Sequence, residues 1–217
     1  MDPLNDTISK VEILEVMGND LTVVNAARVS FSKTSTELEE RDSKLIKYLA
    51  KNCHISPFFH PQIRMRIKMP IFVAREWFRH CVGFSRNEVS RRYIDSPPEI
   101  YIPAELRARD ANLKQGSKLE SISENDAVVK SMTDCLNASV VCYNSLLESD
   151  VAPEMARMVL PQSMYTEFIE TASLYAYARL CKLRLDPHAQ VEIRHYADAV
   201  DKQMRVHFPI SWSALMD

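Results

Sequence analysis

Five arginines fall within one short stretch: Arg75, Arg79, Arg86, Arg91 and Arg92. Only Glu76 and Glu88 oppose them there, so the segment is positive inside a chain whose formal net charge is −2. A guanidinium offers a planar fork of donors that matches phosphate oxygens, and it stays charged at any working pH. Two readings follow. One is a solvated basic face, on which Arg75 and Arg79, four apart along a helix, repel each other. The other is an anion site set in a loop on a rigid scaffold. The same stretch carries Trp77, Phe78, His80, Phe84, Ser85, Asn87, Ser90 and Tyr93. Arginines for phosphate, Asn or Glu for base or ribose edges, and a ring to stack are the parts of a nucleotide site.

Glycine decides how such a nucleotide is held. The chain has three, Gly18, Gly83 and Gly116. Both the G-x-G-x-x-G fingerprint and the P-loop need clustered glycines to bring backbone against phosphate, so both are excluded. Lys and Arg number 27 against 29 Asp and Glu, a balance that gives no support for a general nucleic-acid or membrane-surface binder. No apolar run reaches the roughly 18 residues of a membrane span. The first ten residues, MDPLNDTISK, lack a signal-peptide pattern, which predicts a soluble, cytoplasmic protein. Cys53, Cys81, Cys135, Cys142 and Cys181 include no C-x-x-C, and reduced thiols are expected. The pairs Cys53-His54 and His80-Cys81 lack the spacing of a structural zinc site, so no metal is expected.

These residues need a scaffold. Residues 9–16 alternate and read as a strand, and 62–69 alternate strictly, with Ile63, Met65, Ile67 and Met69 on one face. Asp20 stands before LTVVNAARVSF as the expected cap of a short helix. Residues 41–52 read as a helix with Leu45, Tyr48 and Leu49 on its apolar face. Pro70 suits the first turn of a helix covering IFVAREWFRH, residues 71–80. Residues 82–99 look irregular. A long helix is expected over 117–149, a short one through APEMARMVL to Pro161, and a strand over MYTEFIETAS. Two further helices cover SLYAYARLCKL and HAQVEIRHYADAVDKQMRVHF. The mixture predicts an α+β fold with one central sheet flanked by helices, long helices in the second half, and a single domain over 1–217. Cys135, Cys142 and Cys181 are expected as small buried apolar residues. Glu154 and Arg157, three apart, also fit an ordinary helix pair.

The stretch RHCVGFSRNEVSRRY, from Arg79 to Tyr93, resembles the signature of the flavin-dependent thymidylate synthases. Asn87-Glu88-Val89-Ser90 and Arg92-Tyr93 stand as the family pattern has them. Two departures occur: Cys81 replaces the usual second arginine, and one extra residue precedes Ser90. Residues 16–31, HISPF with His60, PIFVAREWFRH, EMARMVLP and LRLDPHAQ agree with the family in order and type, so the resemblance runs over roughly residues 10–200.

The resemblance implies an enzyme that makes dTMP from dUMP, with methylenetetrahydrofolate as one-carbon donor and a hydride carried by FAD from NADPH. It implies a homotetramer with shared active sites, and no nucleic-acid or membrane partner. Carried over residue by residue, Ser90, Arg91 and Arg92, with Arg157, clasp the dUMP phosphate. Glu76, Arg79 and Val89 match further substrate positions, and Glu88 lies between the two ligands. Arg184 matches the arginine at the uracil ring, the catalytic position. Arg79, His80 and Cys81 lie toward the flavin, as do His54, Ser56 and His188. Ser173, Tyr175 and Arg179 stand on the flavin side where other members have different residues. Cys81 cannot give the charged fork of an arginine; Arg86, displaced by the extra residue, is one candidate substitute, and the resemblance leaves open which of the two positions covers a flavin phosphate. Two other classes compete: a single-strand nucleic-acid module stacking bases on Trp77, Phe84 and Tyr93, and an inactive structural homologue.

Overall fold

Alternation in residues 62–69 builds a strand with one buried face. In the computed structural model, which describes residues 1–94, 96–110, 116–118 and 120–217, Gln62–Pro70 is a strand, here β2, following β1 (Lys10–Met17). Ile63, Met65, Ile67 and Met69 are all fully buried, each worth about 1.5–3 kcal/mol of apolar transfer. With β3 (Phe84–Glu88) and β4 (Tyr165–Ser173), the described residues form a four-stranded sheet of order β1-β2-β4-β3. The Leu174 amide bonds to the Pro61 carbonyl at one end of the β2–β4 pair and the Ile71 amide to the Met164 carbonyl at the other, so these strands run antiparallel. The α+β class with one sheet and helices around it is the architecture observed.

Contacts divide the chain into two compact units. Met1–Ile67, Phe78–Asn87 and Phe168–Asp217 make the first; Lys68–Trp77 and Glu88–Glu167 make the second. The first holds α1 (Asp20–Arg28), α2 (Glu40–Lys51), and then α6, α7 and α8, which cover Leu174–Arg184, Val191–His207 and Pro209–Met216. The second holds α3 (Ile71–Trp77), α4 (Asn125–Glu148) and α5 (Pro153–Ala156), the last running into a 3₁₀ turn, Arg157–Val159.

Several expectations need correction. Asn19, not Asp20, caps α1: its side chain accepts from the Thr22 amide. The buried Asp20 carboxylate instead accepts from the amides of Ile210 and Ser211 at 3.0 and 2.8 Å, capping α8, a helix the sequence reading did not anticipate. On α2 the buried residues are Asp42, Ile46 and Leu49, while Tyr48 is exposed. Arg28 pairs with the fully buried Asp42, and that pair turns the helix by one position. Pro70 ends β2 rather than opening α3. The first free amides of α3, Ile71 and Phe72, are met by the carbonyls of Met164 and Gln162.

Residues 84–88 form a strand where irregular chain was expected. Gly83, at φ +83°, makes the preceding turn, and its missing side chain leaves room for Ala176 on α6. The long helix begins at Asn125; Leu119, inside its expected span, lies outside the described residues, as does Asp95 in the 82–99 stretch. Only Tyr143 of α4 is buried, and Cys135 and Cys142 on it are exposed; Cys181 alone of the three is buried. The helix expected from His188 starts at Val191, because Asp186 turns the chain first, accepting from the His188 amide. Glu154 and Arg157 meet through the Glu154 carbonyl, which accepts from Arg157 Nε at 3.3 Å, and not as a side-chain ion pair. No helix among the described residues is long and apolar enough to cross a membrane.

Candidate active site

In the second unit one cavity of about 700 Å³ gathers Glu88, Val89, Ser90, Arg91, Arg92 and Arg157 in its wall. Its size falls within the range of small-molecule sites. Glu88 is the last residue of β3, and its carboxylate accepts a 2.5 Å hydrogen bond from the Thr166 hydroxyl on β4. The Val89 amide continues the ladder by donating to the Glu167 carbonyl. These two bonds set the height at which the following loop leaves the sheet. Within that loop the Arg92 amide lies 3.4 Å from Ser90 Oγ, and the Arg92 guanidinium stacks over Tyr93 at 5.1 Å. Arg91 ties the loop together by donating to the carbonyls of Ser96 and Pro97. Three guanidinium groups face two carboxylates, Glu88 and Glu154, around the cavity, which leaves it net positive and suited to a phosphate monoester. Glu76 on α3 is half-buried in this unit and does not line the cavity.

The first unit holds the other half of the expected residues. Arg184, at the end of α6, donates from Nε to His80 Nε2 at 3.0 Å. An acceptor at Nε2 requires a neutral imidazole with its proton on Nδ1. Burial, followed by the charges of Arg184, Arg86, Arg179 and Arg79, pushes the His80 pKa down to about 4, so the ring stays neutral at physiological pH. Arg79 and Cys81 are exposed beside it, with Cys81 Sγ turned back to the Phe78 carbonyl at 3.2 Å.

Arg86 takes a different part from the one expected. Nε donates to Glu170 at 2.6 Å and Nη1 to the His80 carbonyl at 2.7 Å, and the guanidinium lies over the rings of Phe78 and Phe84. Nε and Nη1 are therefore committed inward, away from the part considered for Arg86 in the sequence, while Nη2 is buried with no hydrogen-bond partner among the described residues. Sequence reasoning missed Glu170. The signal was present, for Glu170 falls in phase with Phe168 and Ala172 on the buried face of β4, where a lone carboxylate demands a cation.

A second cavity, of about 580 Å³ in the first unit, is lined by Tyr175 and Arg179 together with Cys53 and Ile55, the neighbours of His54. Lys47, Lys51 and Lys182 add positive charge that the sequence reading did not single out, although Lys47 and Lys51 stand i, i+4 on α2. His54 and Ser56 lie outside its lining, and His54 packs edge-on to Tyr48. Ser173 is buried as the cap of α6, accepting from the Ala176 amide. His188 is exposed on the Asp186 turn, its Nδ1 2.9 Å from Asp186. The structure thus brings together two groups of expected residues, the Glu88–Arg92 loop with Arg157 and His80 with Arg184, and gathers Tyr175 with Arg179.

A glycine-poor α+β protein with a net-positive cavity and an arginine fixed on a neutral imidazole has the side chains, and not the backbone cradle, with which phosphorylated ligands can be held. The comparisons specify it further. The profile of the thymidylate synthase complementing protein family matches residues 12–210. A flavin-dependent thymidylate synthase of Thermotoga neapolitana is 40% identical over 206 residues, 95% of this chain and 90% of that protein. One from Thermus thermophilus is 39% identical over 204 residues, 94% of this chain and 74% of that protein. Among solved structures, the UMP/dUMP methylase PolB from Streptomyces cacaoi, bound with 5-Br dUMP, superposes with a TM-score of 0.84 at 30% identity, covering 95% of this chain and 94% of that one. This chain belongs to the thymidylate synthase complementing protein family, as the Arg79–Tyr93 signature implied.

Proposed function

We propose that this chain is a flavin-dependent thymidylate synthase that methylates dUMP to dTMP, with methylenetetrahydrofolate as one-carbon donor, NADPH as reductant and FAD as the flavin. The observation that carries the reading is the gathering of Ser90, Arg91, Arg92 and Arg157 around one cavity beside Glu88. The names of the relatives support it: they are flavin-dependent thymidylate synthases, and PolB was solved with a dUMP analogue.

In this reading Arg92 and Arg157 hold the nucleotide phosphate. Arg91 keeps their loop in shape, and Val89 contributes apolar wall. Thr166 fixes the Glu88 carboxylate as an acceptor for the nucleotide. Glu76 and Arg79 are the remaining substrate contacts. Uracil C5 must become electron-rich before it can accept a carbon, which places negative charge on the ring carbonyls. Arg184 stabilises that charge, and its bond to His80 aims the guanidinium before the charge develops. Ser90 is not a nucleophile here, and no cysteine attack on the substrate is needed.

The residues of the first unit fit a flavin. The cavity at Tyr175 is lined by Lys47, Lys51, Arg179 and Lys182 against a single carboxylate residue, Asp217, and it offers an aromatic wall and no glycine cradle. These groups match a phosphorylated ring cofactor held by side chains. Bound FAD supplies the hydride chemistry that no side chain can. His54, Ser56, Arg79, His80, Cys81, Glu88, Ser173, Tyr175, Arg179 and His188 are the residues proposed to hold it. Ser173, whose oxygen already accepts from Ala176, contributes its hydroxyl proton.

Residues 1–217 act as one enzyme domain, and four copies assemble. Val141 on α4 is 67% exposed, and Met158 in the turn after α5 is 73% exposed. Apolar side chains this open are what an assembly would cover. Purified protein should show flavin absorbance that shifts on adding dUMP, and should form dTMP when NADPH and methylenetetrahydrofolate are supplied. Arg184→Ala should abolish turnover, by about 10²–10³-fold as for loss of one preorganised donor, while the flavin stays bound. Colourless protein, or an Arg184→Ala variant at full rate, would reject the reading.

A further inference from the structure

Glu170 is fully buried on the sheet face of β4, and a buried carboxylate without a counter-charge is strongly destabilising. Arg86 answers it from β3, the neighbouring strand, but the guanidinium does more than neutralise. It divides its donors between Glu170 and the backbone of His80, and Phe78 and Phe84 restrict the plane it can adopt. The His80 carbonyl belongs to the turn after α3, and the ring of the same residue receives Arg184. Four residues from three parts of the sequence are thus joined in one line: Glu170, Arg86, His80, Arg184.

We propose that Arg86, anchored by Glu170, is a positioning residue for the reaction, holding His80 through its backbone so that the imidazole accepts from Arg184. The inference rests on the proposed function for its chemistry, since Arg184 is the group taken to act on the uracil ring. Geometry carries it. A single Arg86 guanidinium spans the 2.6 Å contact to Glu170 and the 2.7 Å contact to the His80 carbonyl, and a lysine ammonium cannot copy that fork. Charges also bear on the ring. Arg79, Arg86, Arg179 and Arg184 all oppose its protonation, so removing Arg86 removes one of them.

Two variants test this. Arg86→Lys keeps the charge and loses the fork. The double variant Arg86→Met with Glu170→Leu removes the buried pair together, a replacement that buried ion pairs tolerate well. Both should fold and load flavin as the unaltered protein does. In both, kcat should fall at least about tenfold, the scale of a displaced reacting group, with KM for dUMP changed by less than about threefold. The acid limb of the kcat profile should move up toward the ordinary histidine value in the double variant and stay in place in Arg86→Lys. A merely structural pair would leave kcat intact in the double variant, and a purely electrostatic one would be rescued by lysine; either result overturns the proposal.

A second measurement separates this inference from the function it rests on. Nitrogen chemical shifts of histidine-labelled protein read the His80 tautomer without any turnover. The unaltered protein should show a neutral ring with its proton on Nδ1, and the double variant a mixture of tautomers. A ring protonated on Nε2 in the unaltered protein would overturn the inference even if dTMP forms. The expected tautomer without dTMP formation would reject the function and leave the held ring standing.

Discussion

The Thr166 hydroxyl donates to the Glu88 carboxylate at 2.5 Å, tying the end of β3 to β4 at the wall of the nucleotide-sized cavity. Residues 88 and 166 are remote in sequence, and each alone looks unremarkable. Together they fix one acceptor in a cavity wall that also carries three arginines. Thr166 is buried, so the donor is shielded from competing water.

Thr166→Val keeps the shape and removes the donor. A hydrogen bond to a charged group contributes about 1.5–3 kcal/mol, so dUMP affinity should fall by about 10–100-fold. The flavin spectrum titrated with dUMP reads this directly, and unchanged affinity would show that Glu88 is held by other means.

Arg92→Ala and Arg157→Ala each remove one guanidinium from the wall of the cavity proposed to hold the dUMP phosphate. Charge-assisted bonds of this kind are worth roughly twice neutral ones, so dUMP binding should weaken by about tenfold or more, with flavin content intact. Deoxyuridine, which has no phosphate, should bind the variants and the unaltered protein alike. Equal loss for both ligands would place the arginines away from the phosphate.

The depressed pKa of His80 has a consequence for stability. In the unfolded chain the ring takes a proton near its ordinary pKa of 6.5; in the folded protein it resists until about 4. The stabilising contribution is therefore complete above pH 6.5 and is lost as pH falls from 6.5 toward 4. His80→Gln offers an amide oxygen to Arg184 and cannot titrate. Urea midpoints measured across this window should decline less steeply for the variant; parallel curves would remove His80 from the account.

Asp20 binds two backbone amides of α8 from a buried position. Asp20→Ala leaves both without their acceptor, a loss of about 1–2 kcal/mol for a helix cap. At about 2–4 °C per kcal/mol for a chain of this size, Tm should fall by several degrees. Turnover at low temperature should be retained, because Asp20 lies in neither cavity lining.

Local pattern was enough for the strands that alternate and for the helices with strong periodicity. The sequence of β2 could place its methionines and isoleucines on one face only, and that face is the core. The Arg79–Tyr93 signature likewise carried the family, because so many polar identities in order are legible without coordinates. The three glycines alone excluded a backbone phosphate cradle.

Tertiary contact decided the rest. β3 has weak alternation and becomes a strand only because β4 offers it a partner edge. Asp20 sits where a cap of α1 would stand, yet the helix it caps follows 190 residues later, a pairing no local rule contains. Arg86 stands among the arginines of the Arg79–Tyr93 signature and turns inward, because a buried carboxylate on another strand has a stronger claim on its charge than solvent does. Sequence alone thus determined which side chains the protein owns for its chemistry. The fold decided which of them face a ligand and which hold the others in place, since desolvation and distance are properties of the packed chain and not of its order.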